Sequence, residues 1–360
     1  MAIKIGGKPR DSRLATMSGR RQEKRPRRIL SRVFLAIGGA CIFLYWLWAI
    51  GAIWYHEWLT EALALVIIVG LIFAAAALLV FQDNSLKSWF SWLAGIATGI
   101  WLLTLLQFPS HDRDWAQGQQ ELAHIEINDQ KVLIQNFRDN VYRSENDFDV
   151  RFRDFAFDLS ELKQVWFVVQ HFTQAEGLAH VFLTFQVGDN AKDARYFAVS
   201  VETRRERDEP YTPVQGLYRQ YELSYLFGSE EDFLGVRTIH RRKDRVFMYP
   251  VNANQKQVQD LFRSIAKRTN QIEQQPEFYH SVFSNCMQGI LEHTYNLTPE
   301  PISWMNPKIM LPGYSDRFAF EHGLIGDGKD FEALTQQCRI DEIARKHGAT
   351  KGFSKAIRGQ

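Results

Sequence analysis

The chain has 360 residues, room for two or three folded units, and a formal net charge of +2 that is spread unevenly. Eleven basic residues fall within residues 1–32, against only Asp11 and Glu23. No P-loop, G-x-G-x-x-G, H-E-x-x-H, C-x-x-C or nucleic-acid-binding motif is present, which excludes nucleotide, zinc and nucleic-acid sites of those kinds; no cofactor or metal is implied.

In chain order, residues 1–32 are too poor in apolar side chains to offset the entropy of ordering, and read as a disordered, basic, cytoplasmic segment. Three uncharged apolar runs follow, at 33–55, 62–81 and 89–108. Each is close to the roughly 20 residues that cross a hydrocarbon core as a helix, so 33–108 is expected to be a three-helix transmembrane region. Lys and Arg mark the cytoplasmic side. They crowd the N-terminus, Lys87 sits between the second and third runs, and the connection HEWLTE has none. Three crossings then place everything after residue 108 on the far side. Trp46, Trp48, Trp54, Trp58, Trp89 and Trp92 suit an interfacial belt, with Trp46 the deepest.

Residues 109–330 have the mixed polarity of a globular domain, and 331–360 read as a basic tail that rests on acidic lipid or stays mobile. KVLIQNF, DFDVRFRDF and QVWFVVQHF read as strands. AHVFLTFQV and RYFAVSVET form the clearest hairpin, and RTIHRRKDRVFMYPV reads as another. NQKQVQDLFRSIAKRTNQIE is helical in period. PEFYHSVFSNCMQGILEHTYN carries a second stripe, Met287, Ile290, Leu291 and Tyr295, with Asn285 or Ser284 as N-cap and Cys286 on the first turn.

A helix start presents unpaired N–H groups and the positive end of the dipole, which favour thiolate over thiol and are suited to hold an oxyanion. That is what acyl transfer through a thioester uses, although a buried structural cysteine or a Cys286–Cys338 disulfide fits the same position. Parity supplies a base. If the hairpin turns near Asn190 or Ala191, the apolar sets of the two strands pair and His180 falls opposite Glu202. An imidazole beside a carboxylate is the orienting arrangement of a triad. A solvated His/Glu pair has the same pattern.

The ordered segments VLIQNFRDNVY, RDFAFDLSEL, HVFLTFQV, VSVETRRE, GLYRQYELSY, EEDFLGVR, PEFYHSVFSNC and LPGYSDRFAFEHGLI resemble the periplasmic domain of the Lnb-type lipoprotein N-acyltransferases, over residues 115–325. The resemblance implies a papain-like (permuted NlpC-like) antiparallel sheet plus helices, so that, with the three N-terminal transmembrane helices read from the apolar runs, the expected architecture is α+β. It maps the family's cysteine and histidine onto Cys286 and His180; Glu202 comes from parity alone. His280 and Met287 stand where the family motif has asparagine and threonine. The implied partners are a phospholipid acyl donor, a diacylated lipoprotein acceptor and the bacterial inner membrane, with the N-terminus cytoplasmic and the domain periplasmic. Arg204, Arg205, Tyr279 and Asn285 are the substrate-binding candidates, the arginines as a phosphate grip or as part of a solvated charge run. Asp232 and Arg237 are expected to form a structural ion pair. A peptidase or amidase acting on peptidoglycan or periplasmic protein, and a non-catalytic membrane scaffold, are the alternatives.

Overall fold

The computed structural model describes residues 24–81, 86–172, 174–189, 193–298 and 301–359. The chain divides into two compact units, residues 1–108 and 109–360. Residues 1–23, most of the expected disordered segment, lie outside the described residues.

Helix α1 (Lys24–Trp54) begins among the basic residues, not at residue 33, and runs on through the first apolar stretch. It is followed by α2 (Glu61–Phe81) and α3 (Leu86–Thr104). Among the described residues, α1 and α2 are long and apolar enough to cross a membrane, so two helices meet that measure where three were expected. Helix α3 stops at Thr104, short of Leu105, Leu106 and Phe108, and includes Lys87, two serines and two glycines. Small residues bring the helices together: Ala49, Ala75 and Ala97 pack with Leu93 around Trp46, which is buried among them. Phe34, Ile37, Leu44, Val66, Phe73 and Leu102 point outward and are exposed, an arrangement suited to lipid and costly in water.

The second unit is built on an eight-stranded sheet. Its strands are β1 (His124–Asn128), β2 (Lys131–Arg138), β5 (Phe152–Asp158), β6 (Leu162–His171), β7 (His180–Val187), β8 (Arg195–Arg204), β9 (Glu222–Ser229) and β10 (Arg245–Pro250). A separate two-stranded ribbon is formed by β3 (Val141–Tyr142) and β4 (Phe148–Asp149). The main order is β1-β2-β9-β8-β7-β6-β10, with β5 on β2. The ladders are antiparallel except for a parallel contact at Arg138↔Gly228. Gly228 allows it, because a Cβ there would meet the Arg138 carbonyl and the Phe233 ring. The expected second hairpin is absent: Val236–His240 is a π-helical turn, so only its second half is a strand.

Parity along β7 and β8 sorts the core. Leu183, Phe185, Phe197, Val199 and Val201 face one layer, which is covered by α5 (Gln255–Gln274) through Val258, Leu261, Phe262 and Ile265, and by the short α6 (Cys286–Leu291). Asn254 closes a capping box at the start of α5. Phe182 and Ala198 face the other layer with Phe233, Leu234, Ile340, Ala344, Phe353 and Ile357. The last four belong to the stretch expected to be a tail. It instead folds as α9 (Phe331–Gln337), α10 (Asp341–His347) and α11 (Phe353–Ala356) and closes the second face of the sheet. Its basic residues serve that packing. Arg358 grips Glu230 through two bonds of 2.7 Å, and Arg339 and Arg345 both reach Asp341.

Candidate active site

The pairing of β7 with β8 runs from Val187↔Arg195 to Leu183↔Val199 and then ends, while β7 stays on β6 to His180 and β8 stays on β9 to Arg204. The two strands part at the end where His180 and Glu202 lie. Continuing the register still sets those residues opposite each other, and His180 Nε2 is 3.1 Å from Glu202 Oε1. Ser200, on the same face, donates its hydroxyl to Glu202 Oε1 at 2.8 Å, and its oxygen lies 2.8 Å from His180 Nε2. Nε2 is therefore committed to Glu202 and Ser200, which leaves Nδ1 without either of these partners, and the Cys286 sulfur lies close enough to the ring to act on its charge.

Cys286 opens α6, and close packing of that helix on the sheet sets its position. Gly289 leaves no room for a side chain, since a Cβ would sit 2.7 Å from Val201 Cγ2. The expected apolar stripe is cut short after Leu291, so Tyr295 is exposed. Asn285 is the N-cap: its Oδ1 accepts from the N–H groups of Met287 and Gln288, and its Nδ2 donates to the Ser281 carbonyl. Its side chain is thereby used in holding the turn that presents Cys286. The same cap occupies two of the first-turn N–H groups expected to hold an oxyanion. Cys286, Cys338 and Cys41 are all free thiols.

The electrostatics follow the geometry. Burial alone pulls His180 down, but the Glu202 carboxylate and the Cys286 sulfur outweigh it and push the imidazole up to about 9. Burial likewise works against the Glu202 carboxylate, yet His180, Arg237 and Ser200 hold it well below its ordinary value. An imidazolium between a carboxylate and a sulfur is the charge state that results.

Arg237 is the residue that sequence reasoning missed. It leaves Asp232 to Arg138, which binds both carboxylate oxygens at 2.9 Å, and donates instead to Glu202 Oε1 at 2.8 Å. Its Nε donates to Gln170 Oε1, Gln170 donates on to Asp244, and its Nη1 meets the Phe233 carbonyl. The guanidinium lies over Phe182 and Phe233. It sits in the π-helical turn, which no local pattern announces. Ser200 was legible, having the parity of Glu202.

Arg204 and Arg205 do not reach this site. Arg204 is buried over the Trp115 ring and donates to the carbonyls of Gln119 and Gln120; Arg205 donates to the Glu209 carbonyl. Their guanidinium groups hold the start of the domain, so the phosphate-grip expectation is not met. Tyr279 is buried in the same core cluster as Cys286 and interacts with Tyr211, a residue not singled out beforehand. Burial and then the nearby Cys286 sulfur raise both phenols, Tyr211 to about 12, so both keep their protons at neutral pH. Among the described residues no cluster of His, Cys, Asp and Glu is arranged to hold a metal ion.

Residues 149–306 match the family model described as the Lnb N-terminal periplasmic domain, which bears out the resemblance over a shorter stretch than the motifs suggested and includes Cys286, His180, Glu202 and Arg237. No curated protein and no solved structure matches the chain.

Proposed function

We propose that this chain, an Lnb-type protein by its residues 149–306, is a membrane-anchored periplasmic acyltransferase that works through a Cys286 thioester. The observation that carries the reading is the array in which Glu202 lies 3.1 Å from His180 and the Cys286 sulfur acts on the same ring, at the parting of two strands. The donor is a phospholipid and the acceptor is the N-terminal amine of a diacylated lipoprotein. With the Cys286 proton already held on His180, the sulfur attacks the ester carbonyl carbon. The tetrahedral oxyanion is stabilised by the Tyr211 hydroxyl, which stays protonated, with Tyr279 behind it, where two of the helix N–H groups are already capped. Collapse breaks the ester C–O bond, and the leaving alkoxide takes the proton from the imidazolium. The amine then attacks the thioester, passes a proton to His180, and the thiol reforms as the amide is released. Glu202 keeps the ring oriented throughout and stabilises its charged form each time the proton returns to it.

The family description together with the basic N-terminus supports a cytoplasmic N-terminus and a periplasmic domain. A phosphatase reporter fused after residue 108 is expected to be active outside the cytoplasm and one fused after residue 81 inactive. That pattern requires α3 to cross as well; the reverse pattern overturns the orientation.

The mechanism is tested by incubating the protein with phospholipid and looking for an acyl adduct on Cys286 that hydroxylamine removes, and by mass spectrometry of lipoprotein N-termini in a deletion strain. Loss of the N-acyl group on deletion is the expected result. Intact N-acylation with altered muropeptides would point to an amidase and sink the transferase reading.

A further inference from the structure

Residues 301–314 read PISWMNPKIMLPGY and contain one charge, Lys308, which pairs with Glu321. At one end the Trp304 ring packs edge-on against Phe283 at 5.7 Å, three residues before Cys286. At the other, Leu311 and Tyr314 lie against Gly177, three residues before His180, and the Gly313 N–H donates to the Gly177 carbonyl at 3.0 Å. One stretch of chain thus runs from the loop that delivers the nucleophile to the strand that delivers its base.

The stretch is held firmly from inside. Ile309 is in the core, Asn306 caps the turn of α7 (Pro307–Met310), and Gly313 sits so close to the Glu176 carbonyl that no Cβ fits. Yet Trp304, Met305, Met310, Leu311 and Tyr314 are exposed, and so is Phe283; Met305 and Phe283 are each 64% exposed. Fraying does not explain apolar side chains on a pinned backbone, and a contiguous patch of this kind marks a surface that something covers. Tryptophan, tyrosine and phenylalanine suit the boundary between headgroup and acyl chain, and methionine adapts to a fluid partner. The same chain carries α1 and α2, which are apolar enough to hold it at a bilayer and so keep lipid at high effective concentration.

We propose that this strap is an interfacial membrane-docking element, which enters the headgroup and acyl boundary of the bilayer and seats the opening between Cys286 and His180 on lipid. The choice of lipid as occupant rests on the reading of the site as lipid-acting; the test does not. The full chain is reconstituted in phosphatidylethanolamine–phosphatidylglycerol vesicles containing an alkyne-tagged phospholipid, with a photo-crosslinking phenylalanine analogue at Met305, at Met310, or at Ile343. The last is an exposed residue of α10 on the other side of the sheet. The expected result is lipid adduct at 305 and 310 at least tenfold above that at 343. Equal yields at the three positions, or cross-links from 305 and 310 to a second copy or to another protein, would overturn the proposal. A second measurement uses Met305→Ser combined with Met310→Ser. Transfer from vesicle phospholipid should fall at least tenfold while capture of Cys286 by iodoacetamide stays within twofold; unchanged transfer would count against docking. If the wild type transfers no acyl group, the function has failed and the cross-linking still decides the strap.

Discussion

Cys286 and Cys338 are buried almost equally, 7% and 8% exposed, and both are free thiols in the same domain. Burial therefore does not distinguish them. Cys338 closes the C-terminal end of α9, where the helix dipole is negative, and burial with no compensating cation pushes its thiol up to about 11. Cys286 opens α6 beside an imidazole that a carboxylate keeps charged. Two histidines make the same contrast. His180 is driven up to about 9, whereas burial and then Arg268 drive His293 down to about 4, with Ser264 and Tyr225 as its neutral partners. The difference between a reactive site and a structural one in this domain is the partner, not the depth.

The comparison breaks most visibly if the two thiols are interchangeable. Cys286→Ala should reduce acyl transfer on the order of 10³-fold or more. Cys338→Ala should leave it within about twofold, and the hydroxylamine-labile adduct should persist in that variant alone. Equal losses would mean that Cys286 has no special role.

The histidines sharpen it through stability. A histidine whose pKa is raised from 6.5 to about 9 stabilises the fold fully below pH 6.5, and that contribution is lost as pH rises through 9. One lowered to about 4 works in the opposite sense, and the domain loses stability as pH falls from 6.5 to 4. Each limb is worth roughly 3 kcal/mol. In thermal unfolding across pH, His180→Gln should flatten the alkaline limb and His293→Gln the acid limb. Exchange of those two results would overturn the assignment of their partners.

A smaller effect separates Glu202 from Arg237. Leaving-group protonation needs the imidazolium, so transfer should fade as pH passes about 9. Glu202→Gln removes the charge that raises His180 and should move that alkaline limit down by about one pH unit or more. Arg237→Gln removes a cation from Glu202, so the carboxylate titrates nearer its ordinary range and the acid limit of activity moves up; Arg237→Lys should restore most of it. If Arg237→Gln changed only the unfolding midpoint and left both limits in place, Arg237 would be structural alone.

What the residues settled by themselves was short in range. Alternation along 180–187 and 195–204 was enough to set His180 opposite Glu202, because side-chain direction in a strand has period two and one turn fixes the register. Asn285 was legible as a cap and Cys286 as a helix start, since capping depends on the next three residues. The tertiary structure decided everything that required one partner to be chosen among many. Nothing near Arg237 reveals that Arg138 takes Asp232 and frees it for Glu202; that exchange exists only once β2, β9 and the π-helical turn are side by side. Nor does local sequence show that β7 and β8 part at the site, or that a basic C-terminal stretch carries Ile340, Ala344, Phe353 and Ile357 to cover the open sheet face. Periodicity states which face a residue is on, and only packing states what it meets there.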